Sequence, residues 1–124
     1  MPDVELPSVD ELLLGFLAGK VTVPVSVIVP EGRPAEFVRA WRTGGGPINR
    51  VLDEPLVTVQ AWAASAARAE DIARECLHAL LNDYTQMPLV RGMEILSGPY
   101  MDPDPESRSP RYSINARLRV RGRR

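Results

Sequence analysis

From Arg111 the chain reads Arg-Tyr-Ser-Ile-Asn-Ala-Arg-Leu-Arg-Val-Arg, polar and apolar residues alternating over eleven positions. A period of two predicts a strand with one buried face, because successive side chains of an extended backbone point to opposite sides. Tyr112, Ile114, Ala116, Leu118 and Val120 fall on one side. Arg111, Ser113, Asn115, Arg117, Arg119 and Arg121 fall on the other. Such a strand is commonly half-buried with a solvated charged face; the sharper reading makes the arginine face, Arg111, Arg117, Arg119 and Arg121, a contact surface.

The remaining pattern supplies a first helix, three strands, a second helix and one more strand before this last one. Ser8 with Glu11 three residues on forms a capping-box signal ahead of Leu12, Leu13, Leu14, Phe16 and Leu17, and Gly19 can end that helix. Val21 to Val29 is rich in β-branched residues, Phe37 to Thr43 alternates, and Leu56 to Ala63 alternates again with Val57, Val59, Ala61 and Ala63 on one side. Ser65 caps a helix over about 66–82, in which Ala69, Ile72, Ala73, Cys76 and Leu80 share a face by spacings of three and four. Its alanines allow close approach to a sheet. A strand near Met93 to Tyr100 completes the order α-β-β-β-α-β-β, so the expected fold is α+β: a largely antiparallel or mixed sheet of four to five strands packed with two helices.

Two stretches read as breakers. Gly44, Gly45 and Gly46 followed by Pro47 are expected to interrupt any ladder, with a loop through Arg50 to Asp53-Glu54-Pro55. Pro103, Pro105 and Pro110, interleaved with Asp102, Asp104 and Glu106, predict a solvated, partly extended connection. Flexible loops are therefore expected near 43–55 and 101–110, within a single domain over 1–124. The acidic spacing of the second loop resembles the opening of a calcium loop, but Ser107 stands where glycine is required and Ser113 where glutamate is required. The glycine run lacks the Lys-Ser or Lys-Thr of a phosphate cradle.

Charge alters this picture more than composition does. Seven of the fourteen arginines lie in the last 17 residues with no acidic side chain among them. The other 107 residues hold all sixteen Asp and Glu against seven Arg and Lys20, so the two parts stand near −8 and +7. A nearly neutral chain polarised in this way suits self-assembly or docking better than turnover of a small substrate. The length allows burial of roughly two thirds of the unfolded surface without staples. Cys76, the one cysteine, has no partner in the chain and reads as a buried small hydrophobe. His78 has Arg74 and Asn82 one turn away and no advertised nucleophile, so no catalytic residues, cofactor or metal site are expected. No run approaches the roughly 18 apolar residues of a membrane span and no leader is evident at the N-terminus, which predicts a soluble protein made in a reducing cytoplasm.

The element order, with Ile48-Asn49-Arg50-Val51-Leu52-Asp53-Glu54-Pro55 leading into Val57-Thr58-Val59-Gln60-Ala61-Trp62-Ala63, then an alanine-rich helix, Gly98-Pro99, an acidic turn and a final strand from Arg111-Tyr112 ending in arginines, resembles tail terminator proteins of long-tailed bacteriophages, especially those of actinobacterial hosts. The proline-rich connection from Pro103 to Pro110 departs from that pattern. The resemblance spans most of the chain. It implies a homo-hexameric ring that caps the tail tube, ends its polymerisation and meets a head-side connector or stopper protein, with genomic DNA passing through the channel without sequence-specific binding and with no membrane partner. The location implied is the virion neck, reached from the host cytoplasm during assembly. Gly44 to Gly46, Arg50, Asp102, Asp104 and Glu106 would then sit on loops that touch tube or connector or line the channel. Separated acidic and basic surfaces suit the heterologous contact a ring requires. Isolated subunits are expected to be monomeric or weakly associated, closing only on the tube, since exposed ion pairs contribute only about 0–1 kcal/mol each. The alternatives are another head–tail connector subunit (head closure or tail completion) and a nucleic-acid binder using Arg117, Arg119, Arg121, Arg123 and Arg124; against the latter, Tyr112 is the one aromatic in the basic stretch.

Overall fold

The computed structural model describes residues 3–124. Helix α1 (Val9–Ala18) starts where expected: the Ser8 hydroxyl accepts the Glu11 N–H at 3.3 Å. Its buried stripe of Val9, Leu13, Phe16 and Leu17 lies against the sheet. Helix α2 (Ala66–Asp83) is capped by Ser65, whose hydroxyl accepts the Arg68 N–H at 3.2 Å. Ala69, Ile72, Ala73, Cys76 and Leu80 all face inward, and the short side chains let the axis lie close across the strands.

The strands are β1 (Val25–Ser26), β2 (Phe37–Asn49), β3 (Leu52–Trp62), β4 (Val90–Met101) and β5 (Arg111–Arg121), in the spatial order β1-β2-β3-β5-β4. Among the described residues only β1 and β2 run parallel, so the fold is α+β with a mixed five-stranded sheet and two helices in the order expected. The core lies between the helices and one face of the sheet: Val38 and Ala40 from β2, Val57, Val59 and Ala61 from β3, and Ile114, Ala116, Leu118 and Val120 from β5. The register of β5 is the one its alternation predicts.

Three differences from the sequence pattern have local causes. The strand expected over Val21 to Val29 shrinks to two residues. The N–H groups of Lys20 and Val21 stay bonded to the Leu17 carbonyl at 2.9 and 3.1 Å, so Val21 ends up as a buried extension of α1, and Pro24 has no N–H to give a ladder. Secondly, the stretch near 43–55 is not a loop. Gly44, Gly45 and Gly46 lie within β2, paired with Leu56, Pro55 and Glu54, and the connection is reduced to Arg50 and Val51. A bulge at Thr43 shifts the register, and Gly45 adopts φ +73° with its backbone so near β3 that a Cβ would lie 2.3 Å from the Glu54 carbonyl oxygen. The glycine here permits close strand approach in place of a break in the ladder. The turn itself is tied down: the Val51 N–H donates to Asn49 Oδ1 at 2.9 Å, and the Val51 carbonyl accepts the Gly122 N–H at 2.8 Å.

Thirdly, β3 is buried on both faces from Val57 to Trp62, although its alternation predicts one. Thr58 and Gln60 are only 9% and 8% exposed. Trp62 stacks on Phe37 of the neighbouring strand, ring centroids 4.5 Å apart. A central strand lies beneath the large side chains of both neighbours, and this shelter does not register in its own period.

Candidate assembly surface on the arginine strand

The outward row of β5 meets carboxylates from its own chain at three of its four arginines. Arg111 lies 3.0 Å from Asp102 Oδ2, donates through Nε to the Asp102 carbonyl at 2.6 Å, and places its guanidinium over the Trp62 ring at 5.2 Å. It is largely enclosed. Arg117 donates to Glu94 Oε1 of β4 at 2.7 Å, and Arg119 to Glu54 Oε2 of β3 at 2.6 Å. These are cross-strand pairs, set by the register that places Arg117 beside Glu94. Arg121 has no carboxylate within ion-pair distance among the described residues.

The charge segregated along the sequence is therefore largely cancelled in the middle of the folded sheet and survives at one end. Arg121 and Arg124 there border a depression with Arg91 of β4, Val51 and Leu52, and Arg50 sits on the adjoining turn. None of these four guanidinium groups has an intramolecular ion pair among the described residues. Arg91, at the start of a strand expected to begin later, carried no sequence signal; only the β4–β5 register brings it beside Arg121.

The connection over 101–110 is also more organised than its prolines predict. The Asp102 N–H donates to the Arg111 carbonyl at 2.8 Å, extending the β4–β5 hairpin, and the Arg108 N–H donates to the Asp104 carbonyl at 2.7 Å. Asp104 is the hub. Its carboxylate accepts the Glu106 N–H at 3.0 Å, the Ser107 hydroxyl at 2.9 Å and the Trp62 indole N–H at 3.4 Å, with Arg33 also 3.4 Å away. Asp102 accepts the Ser113 hydroxyl at 2.8 Å. Both aspartates expected to offer mobile contacts are thus engaged within the chain, whereas Glu106 is exposed.

The hydrogen bond from the Glu106 N–H, followed by those from Ser107 and Trp62, holds the Asp104 carboxyl down at about 2. An ordinary aspartate titrates near about 3.9, so the folded group binds its proton less readily than the unfolded one. Its stabilisation is fully present above about pH 4 and is lost as pH falls toward 2. The Trp62 indole resonance followed by NMR is expected to titrate with a midpoint near about 2, and D104N to abolish that transition. A midpoint near 4 would place the carboxylate free in solvent.

Burial pushes the Cys76 thiol up to about 12, which leaves it protonated and inert at neutral pH. His78 is exposed on α2, and its side chain neighbours Asn82 one turn on. Among the described residues no group of metal-ligating side chains converges, and no helix is long and apolar enough to cross a membrane. A scan of protein-family models finds none that matches this chain, and a search of curated proteins finds no similar sequence.

Proposed function

We propose that this chain is a structural subunit of a phage tail terminator: a ring, of six copies by the resemblance, that caps the tail tube, stops its growth and presents a surface to the head-side connector. The observation that carries the reading is that charge left unpaired after folding is separated in space. Free guanidinium groups gather at one end of the sheet, while Asp71 and Glu75 on the outer face of α2 make no ion pair among the described residues, the nearby Arg68 being paired with Glu36. A subunit with two unlike, complementary surfaces is suited to a heterologous contact that closes into a ring. The segments that carry the resemblance form one continuous unit, the β2–β3 hairpin, α2 and β5, and the element order agrees with it. On this reading the protein has structural partners and catalyses nothing.

Electron micrographs of particles assembled without the protein test this. Overlong, headless tails are expected; tails of normal length that fail to join heads would instead assign it to head closure or tail completion, and complete infectious particles would remove it from the neck altogether. Nucleic-acid binding is the second reading, favoured by the unpaired Arg91, Arg121 and Arg124. Steeply salt-dependent binding of short duplex DNA by the monomer would support it.

A further inference from the structure

We infer that neighbouring copies join by seating the arginine end of one sheet on the groove along α2 of the next. This deepens the ring reading and rests on it. The first surface combines aliphatic and basic groups: Ile48 and Val51 are 54% and 41% exposed at the β2–β3 turn, with Arg50 between them and Arg91, Arg121 and Arg124 beside them. The turn is held by the bond from Gly122 to Val51, so little ordering cost is left for binding.

The second surface has the opposite character. A shallow groove on α2 has Asp71, Glu75, Leu77 and Leu81 among its lining, with Arg74 and Lys20 beside them, and Leu81, 53% exposed, adds apolar area next to the carboxylates. Of the cations on its rim, Lys20 pairs with Asp83 at 3.1 Å, and Arg74, an exposed side chain, lies 3.9 Å from Glu70. Asp71 and Glu75, one turn apart, are left to receive guanidinium groups from outside, while the two leucines offer apolar area for Ile48 and Val51.

The occupant is a second copy because each surface supplies what the other lacks. One lies at the end of the sheet and the other on the outer helical layer, and no ion pair joins them among the described residues. The contact is therefore between unlike patches, and each copy keeps one of each free for the next. Duplex DNA would use the arginines but leave Ile48, Val51 and the α2 groove uncovered; protein interfaces pair arginine with apolar groups in this way.

The test uses the full chain, labelled for NMR and concentrated to about 1 mM, where weak contacts are populated. Concentration-dependent shifts are expected at residues 48–51, 91 and 121–124 and along 71–81. Two charge-reversed variants, R50E/R91E and D71R/E75R, are each expected to lose these shifts while keeping the wild-type spectrum elsewhere. Mixing the two restores association, because the intact end of one meets the intact groove of the other and the two reversed surfaces meet each other. Shifts confined to another surface would overturn the docking and leave the ring standing, since tail length in micrographs reports on the ring independently. Absence of any concentration dependence, single variants that associate like wild type, or a mixture that stays monomeric would also overturn it. Shifts at the arginine end produced only by added duplex DNA would reassign that end to nucleic acid.

Discussion

Replacing Leu118 with aspartate is expected to unfold the protein or lower its melting temperature by tens of degrees. Leu118 is fully buried at the centre of β5, with Met93 of β4 as its cross-strand partner and α2 lying over that face of the sheet. Removing the side chain alone costs about 2–5 kcal/mol in transfer and cavity terms. An aspartate at that site adds a carboxylate with no partner in an apolar core, a further several kcal/mol. Small domains hold only about 5–15 kcal/mol in total. The neighbours give the control: L118A should show an intermediate loss and R117A, one position along and facing outward, less than about 1 kcal/mol. Thermal melts followed by circular dichroism read all three, and a soluble L118D variant with an unchanged melting temperature would contradict the register of β5.

The second large effect is expected at Arg42. Its guanidinium makes a two-pronged contact to Asp53, 2.7 and 2.9 Å, and donates through Nε to the Gly44 carbonyl at 3.0 Å, while the Arg42 N–H donates to Asp10 of α1 at 2.7 Å. Asp53 is 2% exposed. This pair therefore spans the bulge that precedes the glycine run, and the backbone bond joins β2 to α1. Truncation to methionine leaves a carboxylate buried without its cation, which costs about 3–5 kcal/mol. Removing both charges in R42M/D53L should recover much of that loss, because the burial penalty on the carboxylate goes with it. Urea unfolding of the two single variants and the double variant measures the coupling; strictly additive losses would show that the side chains do not act as a pair.

Local physics made much of the fold legible. Ser8 and Ser65 announced both helix starts because a hydroxyl at the N-cap satisfies an N–H that no helical carbonyl can reach. The eleven-residue alternation placed β5 at Arg111–Arg121, since a period of two admits one register toward a core. The glycine run misled because composition records what a backbone is permitted to do, not what its neighbour holds it to. Gly45 is needed where β2 presses against β3 just past the bulge, and β5 extends far enough to support the hairpin to its tip. The proline-rich connection is a largely exposed loop, as its composition predicts, but the engagement of its aspartates was not legible: an aspartate in such a segment reads as solvated until Trp62, from a distant strand, offers it a donor.

The sequence by itself determined where helices and the last strand begin, which face of each is apolar, and that positive charge is concentrated near one end of the chain. It could not determine which of those charges remain available. Glu94 and Glu54 reach Arg117 and Arg119 across 23 and 65 residues of sequence, and Arg91 comes beside Arg121 only when β4 closes on β5. Ion pairing depends on distance in space, so the register of the sheet, and no local pattern, decided that the middle arginines are neutralised and the terminal ones left free.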